Sequence, residues 1–398
     1  MMQREHTAWG TVILITAAGA MAAAQVGKLP PALPLMRSEL GFGLVAGGFV
    51  LSLFNLLGLA VAVLLGGLAD RVGRTRMVTV GFAALVAGNL LGAFAPGLVT
   101  ILASRLVEGV GFVAIVVSLP YAAAAAATPR DQGPALGTWS IYYPAGMAAS
   151  MLVAPLLLPL LGWRGVWLVM AALCLPMAAA VLTRMRGLDL PGPSGAPFLP
   201  LALGALRTRG FQLIALVFGA YAFQWVTLMA WLPTFLTESL GANLGFAAPM
   251  TALIVLVNAP GCLFGSAVLR RGWRPGPAIL AGTAIMAVTT LGIFLPGLPV
   301  AMRLILCLAF SFFAGLVPPA LFTAVPRFAP SLRHISAGNG MLMQGSAIGQ
   351  FAGAPLVAAA VALGGGNWIW ALVPMLASAA LTAAGGAALG RLIDALPR

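Results

Sequence analysis

Twelve apolar runs, each long enough to form one helix, follow one another along this chain with little between them. They fall at about 9–36, 43–69, 77–95, 98–125, 134–160, 164–183, 209–236, 246–269, 277–296, 299–325, 335–362 and 367–390. Crossing the hydrocarbon core of a bilayer takes roughly 20 apolar residues in a helix. Backbone in lipid must satisfy its own polar groups, which suits helices and excludes loose loops. The expected fold class is therefore an all-α membrane protein with twelve transmembrane helices.

Composition excludes the soluble alternative. Hydrophobic residues fill 61% of 398 positions and charged residues 7%, where soluble domains carry about 25% charge. Such a chain has too few polar groups to cover itself in water, so the lipid bilayer is its expected partner. The net charge of +13 does not point to nucleic acid, because the arginines punctuate the apolar runs and form no basic face. Cys174, Cys262 and Cys307 each sit alone in an apolar run. That spacing fits neither a disulfide framework nor a metal site. No nucleophile–base cluster is visible, so an enzyme is not expected, nor is a cofactor. The first run, with Ala22 and Ala24 in a signal-like pattern, is too long for a cleaved signal core and reads as the first helix.

Arginine placement sets the expected orientation. With the N-terminus inside, sixteen arginines lie on inner loops and tails, against three (Arg37, Arg164 and Arg303) outside. This positive-inside bias puts both termini in the cytoplasm, in a cell inner membrane. Gly187 to about Thr208, with Pro191, Pro193, Pro197 and Pro200, suits neither a helix interior nor lipid and predicts a cytoplasmic linker. The expected domains are residues 1–186, a linker at 187–208, and residues 209–398. The two halves are pseudo-symmetric, with six helices each. A shift of 199 residues superposes Pro34 on Pro233, Glu39 on Glu238 and Gly66 on Gly265. The same shift superposes Gly73 on Gly272, Pro120 on Pro319 and Gly146 on Gly345. Paired halves of this kind place substrate near the midplane between them.

The segment Gly66-Gly67-Leu68-Ala69-Asp70-Arg71-Val72-Gly73-Arg74-Thr75-Arg76 resembles the signature loop between helices 2 and 3 of the major facilitator superfamily. Arg105-Leu106-Val107-Glu108-Gly109 and Gly162-Trp163-Arg164 are similar to that family's helix-4 motif and helix-6 start. The resemblance implies a transporter working by alternating access. It also implies a gating latch at Asp70, Arg71, Gly73 and Arg74; the second-half copy carries Leu269 where the acid would stand. More finely, Lys28 to Arg37, Arg105-x-x-Glu108-Gly109, and Trp139 to Gly146 followed by Gly162-Trp163-Arg164 look like the cyanate permease branch, which implies uptake of small anions or related small molecules. The alternative is efflux of a hydrophobic compound or drug; Tyr142 to Ala149 departs from the Gly-Pro-x-x-Gly-Gly run of the efflux branches.

Twenty arginines accompany one lysine, and that lysine lies inside the first helix. A lysine at membrane depth costs about 2.5–3.5 kcal/mol and usually faces a bundle interior or watery cavity; snorkelling to the interface is the alternative. Gln25 shares its helical face. Arg105 and Glu108 are spaced to pair along one helix, which leaves Lys28 as the expected unmatched cation and Glu108 as the expected proton carrier. Trp139, Tyr142, Gln224, Trp225, Asn258 and Gln344 complete the expected substrate contacts, each with packing as its alternative. The expected partners are a small-molecule substrate and protons as coupling ion, with the chain acting as a monomer. A reporter fused at Ser194 is expected to behave as cytoplasmic. An outward signal there would overturn the helix count.

Overall fold

The computed structural model describes residues 6–56, 73–186, 188, 204–329 and 332–396, and for 332–337 the backbone alone. Over these residues the apolar runs are helices, which we number α1 Trp9–Gly27, α2 Leu29–Leu40, α3 Leu44–Ser52, α4 Arg74–Ala93, α5 Leu98–Ala125, α6 Gln132–Trp139 and α7 Tyr142–Met185. After the linker come α8 Arg209–Thr234, α9 Leu244–Arg270, α10 Pro275–Phe294, α11 Val300–Ala314, α12 Val317–Ala324, α13 Leu332–Leu363 and α14 Leu372–Asp394. Among the described residues, ten helical runs are long and apolar enough to span a bilayer. One of them, residues 134–185, is two helices joined at Gly162, whose φ of 63° breaks the helical path. The stretch Leu44–Asn55 is a further, shorter apolar helix.

Proline explains where long helices divide. Pro30 and Pro31 follow Lys28 and have no N–H to give the carbonyls of Val26 and Gly27. The helix changes from α1 to α2 at Lys28. Pro318 and Pro319 lie in the first turn of α12, where the same run changes from α11 to α12.

By their contacts the residues form two units. The first comprises Met1–Phe42, Ala60–Ala196 and Leu244–Ala252; the second comprises Gly43–Leu59, Pro197–Asn243 and Leu253–Arg398. In the first, α1 packs on α7 and α5, while α4 packs on α5 and α7. Its core includes Val12, Ile15, Phe82, Leu85, Ile115 and Leu119. In the second, α8 is the centre, packed on α13 and α14, with α10 against α14 and α11. α3 precedes the linker in sequence yet packs on α13, where Gly48 lies against Ala354 and Pro355.

Two pairs of glycines repeat their jobs at the 199-residue shift. Gly73 and Gly272 take φ of 92° and 94°, opening α4 and the turn before α10; side chains with a Cβ rarely accept that region. Gly146 and Gly345 are close-approach sites. A Cβ on Gly146 would strike the carbonyl oxygen of Ala20, and one on Gly345 that of Ala215. The crossings press α7 against α1 in the first unit and α13 against α8 in the second.

Gly146→Leu and Gly345→Leu are each expected to lower stability by about 1–3 kcal/mol or more through overpacking. Gly10→Ala, where a Cβ meets nothing within 4 Å, should leave it unchanged or slightly raised. Thermal melting in detergent with fluorescence-detected gel filtration checks this. A Gly146→Leu protein that melts with the parent would remove the close crossing.

Candidate functional site

Lys28, at the junction of α1 and α2, lies in the interior of the first unit, 1% exposed. Its ammonium has three protons, and three acceptors meet them. Lys28 Nζ donates to Gln25 Oε1 at 2.8 Å, to Asn89 Oδ1 at 2.6 Å and to Glu108 Oε1 at 2.7 Å. The ring of Trp167 lies 4.2 Å from the same nitrogen, a distance at which the ring face attracts a cation. Snorkelling is therefore not what this lysine does.

Glu108 is the centre of the cluster. Its second oxygen accepts from Arg105 Nη1, which also donates to the Gln25 carbonyl at 3.1 Å. Asn89 Nδ2 donates to Gln25 Oε1 at 3.0 Å and to the Leu85 carbonyl at 2.7 Å. Gln25 Nε2 approaches Cys174 Sγ at 3.8 Å. Gln25, Asn89, Arg105 and Glu108 are fully buried.

This corrects the expectation that the Arg105–Glu108 pair leaves Lys28 unmatched. Arg105 and Glu108 do touch, but one carboxylate serves both cations, so the three groups together carry one formal positive charge. The spacing along α5 shows the i,i+3 pair; it cannot show a contact 80 residues away. Asn89, Trp167 and Cys174 also join the cluster without having been singled out. The available signal was Asn89, a lone amide inside an apolar run.

The other candidates do not gather here. Trp139 and Tyr142 stack on each other with centroids 4.5 Å apart. They lie against Gly19, about 13 Å along the helix from Lys28 at 1.5 Å per residue. In the second unit, Trp225 Nε1 donates to Ser311 Oγ at 3.0 Å and Asn258 Nδ2 to the Ser311 carbonyl at 2.8 Å. Gln224 Nε2 reaches Thr382 Oγ1 at 3.3 Å, while its Oε1 has no hydrogen-bond partner. Gln344 lines a separate groove against α8 and α14. The 199-residue shift places Gln25 on Gln224, Lys28 on Thr227 and Glu108 on Cys307. The amide repeats and the charges do not.

Of the latch residues, Asp70 and Arg71 lie outside the described residues. Gly73 has the left-handed φ already given, and the Arg74 guanidinium stacks 3.3 Å from the ring centre of Tyr121. Across the second copy, Arg274 Nη1 pairs with Asp394 Oδ1 at 3.1 Å. Elsewhere in the first unit, Trp163 Nε1 donates to Glu39 Oε2 at 2.6 Å. Arg164 bonds the other Glu39 oxygen and the Ala95 carbonyl. The Gly-Trp-Arg segment thus ties the ends of α2 and α4 to α7.

A family model described as Major Facilitator Superfamily matches residues 13–354. The chain belongs to the major facilitator superfamily. A bacterial homolog of the human lysosomal transporter Spinster, in an inward-facing and occupied conformation, matches 97% of this chain and 96% of its own at a TM-score of 0.79. Its 14% identity makes this a likeness of fold. A putative metabolite transport protein of Haemophilus influenzae is 28% identical over 57% of this chain and 59% of its own length. The puromycin resistance protein of Streptomyces alboniger is 30% identical over 46% of this chain and 38% of its own. The multidrug efflux pump LfrA of Mycolicibacterium smegmatis is 27% identical over 43% and 34%. The match therefore spans less than two thirds of the length of each of the last three relatives. Members of this superfamily are transporters, and this is a multi-pass membrane protein.

Sharing one carboxylate between two cations sets the order of mutant stability. Glu108→Gln leaves Lys28 and Arg105 buried with no carboxylate, and breaking a buried pair costs about 3–5 kcal/mol. Lys28→Met keeps the Arg105–Glu108 pair. Arg105→Leu keeps Lys28 on Glu108, so it does not strand the acid. Melting temperatures in detergent should fall most for Glu108→Gln and recover in Glu108→Gln/Lys28→Met. A Glu108→Gln protein as stable as the parent would contradict the shared-carboxylate geometry.

Proposed function

We propose that this transporter is a secondary active carrier that moves a small anion inward across the inner membrane by alternating access, coupled to protons. The observation that carries the proposal is one buried carboxylate held by two buried cations beside the proline pair that follows α1. Glu108 already occupies the place an anion would take. A proton on Glu108 alone would leave two positive charges without a counter-charge. An anion alone would find the Lys28 protons already taken by Glu108, Gln25 and Asn89. The two together exchange one negative charge for another, so the cluster keeps its net charge. Symport of anion and proton follows from that balance. The missing helical bonds at Pro30 and Pro31 give α1 and α2 a place to flex as the site opens.

In this proposal Lys28 and Arg105 hold the anion, Glu108 carries the proton, and Gln25 orients the lysine. Trp139, Tyr142, Gln224, Trp225, Asn258 and Gln344 serve as secondary contacts, and Asp70, Arg71, Gly73 and Arg74 as the gate. The halves at residues 1–186 and 209–398, the cytoplasmic termini, the cyanate permease branch and a monomeric carrier belong to the same proposal. Efflux of a hydrophobic compound is the second candidate, favoured by the names of the resistance and multidrug relatives.

Proteoliposomes with an inward proton gradient, offered labelled formate, nitrate and cyanate, test the proposal. Uptake of one of these should rise as the outer pH falls. Lys28→Met should lose about tenfold or more of it, the scale of a charged hydrogen bond. Lys28→Arg should not restore it, since a planar fork replaces a point charge. Uptake of none of them, together with proton-driven extrusion of a hydrophobic dye, would replace the anion carrier with an efflux pump.

A further inference from the structure

Helices α8, α13 and α14 of the second unit enclose an open groove of about 980 Å³. α13 and α14 touch each other little, and both rest on α8. The floor is small, with Ala215, Gly219 and Ala220 on α8. The walls expose hydrocarbon outward: Ile348 is 50%, Leu356 53% and Val373 59% exposed. Two polar groups of the lining are already engaged within the protein. Gln212 Nε2 is spent on the Leu206 carbonyl at 2.7 Å and Ser378 Oγ on the Ala220 carbonyl at 2.8 Å. On α13 the lining runs from Met341 to Leu363, about 33 Å at 1.5 Å per residue, close to the roughly 30 Å of a hydrocarbon core.

One end of the groove, at Leu206 and Gln212, meets the start of α8. There Arg207 and Arg209 are exposed, and no side chain caps the first turn. The free amide groups and the helix dipole add positive potential at that point. Apolar walls that end in a cationic mouth match the two ends of one kind of molecule.

We infer that this groove holds an anionic phospholipid of the bilayer, with an acyl chain along α8 between α13 and α14 and its phosphate at Arg207 and Arg209. The charge at the mouth decides between occupants. A second copy of this strongly cationic chain would bring more positive charge to the two arginines, whereas a phosphate neutralises them. None of the residues of the lipid site belongs to the Lys28 cluster; Gln344, one of the secondary contacts proposed above, is the one lining residue shared with the transport reading.

Nanodiscs of phosphatidylcholine, with and without phosphatidylglycerol, test the inference by native mass spectrometry. The unaltered protein should retain one phosphatidylglycerol in preference to phosphatidylcholine and melt at higher temperature with it. Arg207→Gln and Arg209→Gln should each lower phosphatidylglycerol retention by about fivefold, the scale of one basic residue at an anionic membrane surface. Phosphatidylcholine retention should not change. Ala377→Phe, at an exposed position in the groove, should remove the retained lipid. Equal retention of the two lipids by the unaltered protein would overturn the inference. So would a protein dimer that disappears in Ala377→Phe. Anion uptake is read separately, so a failed lipid site and a failed anion site give different results.

Discussion

A charge in hydrocarbon has to bring its counter-charge with it, because the bilayer supplies none and desolvation costs several kcal/mol per ion. Lys28 places an ammonium in that position, and much of the first unit is arranged around it. Glu108 comes from α5, Asn89 from α4, Gln25 from α1 and Trp167 from α7, so one side chain ties together four helices. The backbone makes room for this. Gly88 on α4 lies against Glu108, and Gly92 lies against Trp167 and Ser104; larger residues there would push α4 away from the groups it must reach. Specificity of packing and satisfaction of charge are one problem here, solved by the same contacts.

The second unit shows what the same skeleton does without that charge. Its glycines and prolines keep their posts at the 199-residue shift, and Gln224 stands where Gln25 does. Thr227 and Cys307 replace the lysine and the glutamate, and the polar contacts become neutral ones around Ser311. Arg303, a buried arginine of this unit, turns instead to the carbonyls of Ile293, Leu295 and Leu298, at and just beyond the end of α10. Backbone shape has outlasted side-chain chemistry in this pair of repeats, because shape is fixed by close crossings that tolerate only glycine.

How much of this was legible in the sequence follows from the range of each signal. Helix positions were legible to within a few residues, since hydrophobicity and length are local: the expected run at 98–125 is α5 Leu98–Ala125. The joint at Gly162 and the Arg105–Glu108 pair were legible for the same reason. The contact of Lys28 with Glu108 was not, because it depends on the rotation and depth of two helices 80 residues apart. A lone Asn89 in an apolar run carries no mark that separates a site from a helix–helix hydrogen bond. Trp139, Tyr142 and the four second-half candidates were grouped by polarity alone, and polarity does not say which way a side chain points.

The single lysine has a chemical consequence. Apart from two histidines, arginine supplies every other basic side chain in this protein, so the only amines are the chain's α-amino group and Lys28 Nζ. The latter is 1% exposed and holds all three of its protons in hydrogen bonds. Reagents that acylate amines therefore find one side-chain target in the whole molecule, and find it shielded. Any conformation that uncovers the interior of the first unit also uncovers the one side-chain amine, which makes amine-selective labelling of this protein a built-in clock for its opening.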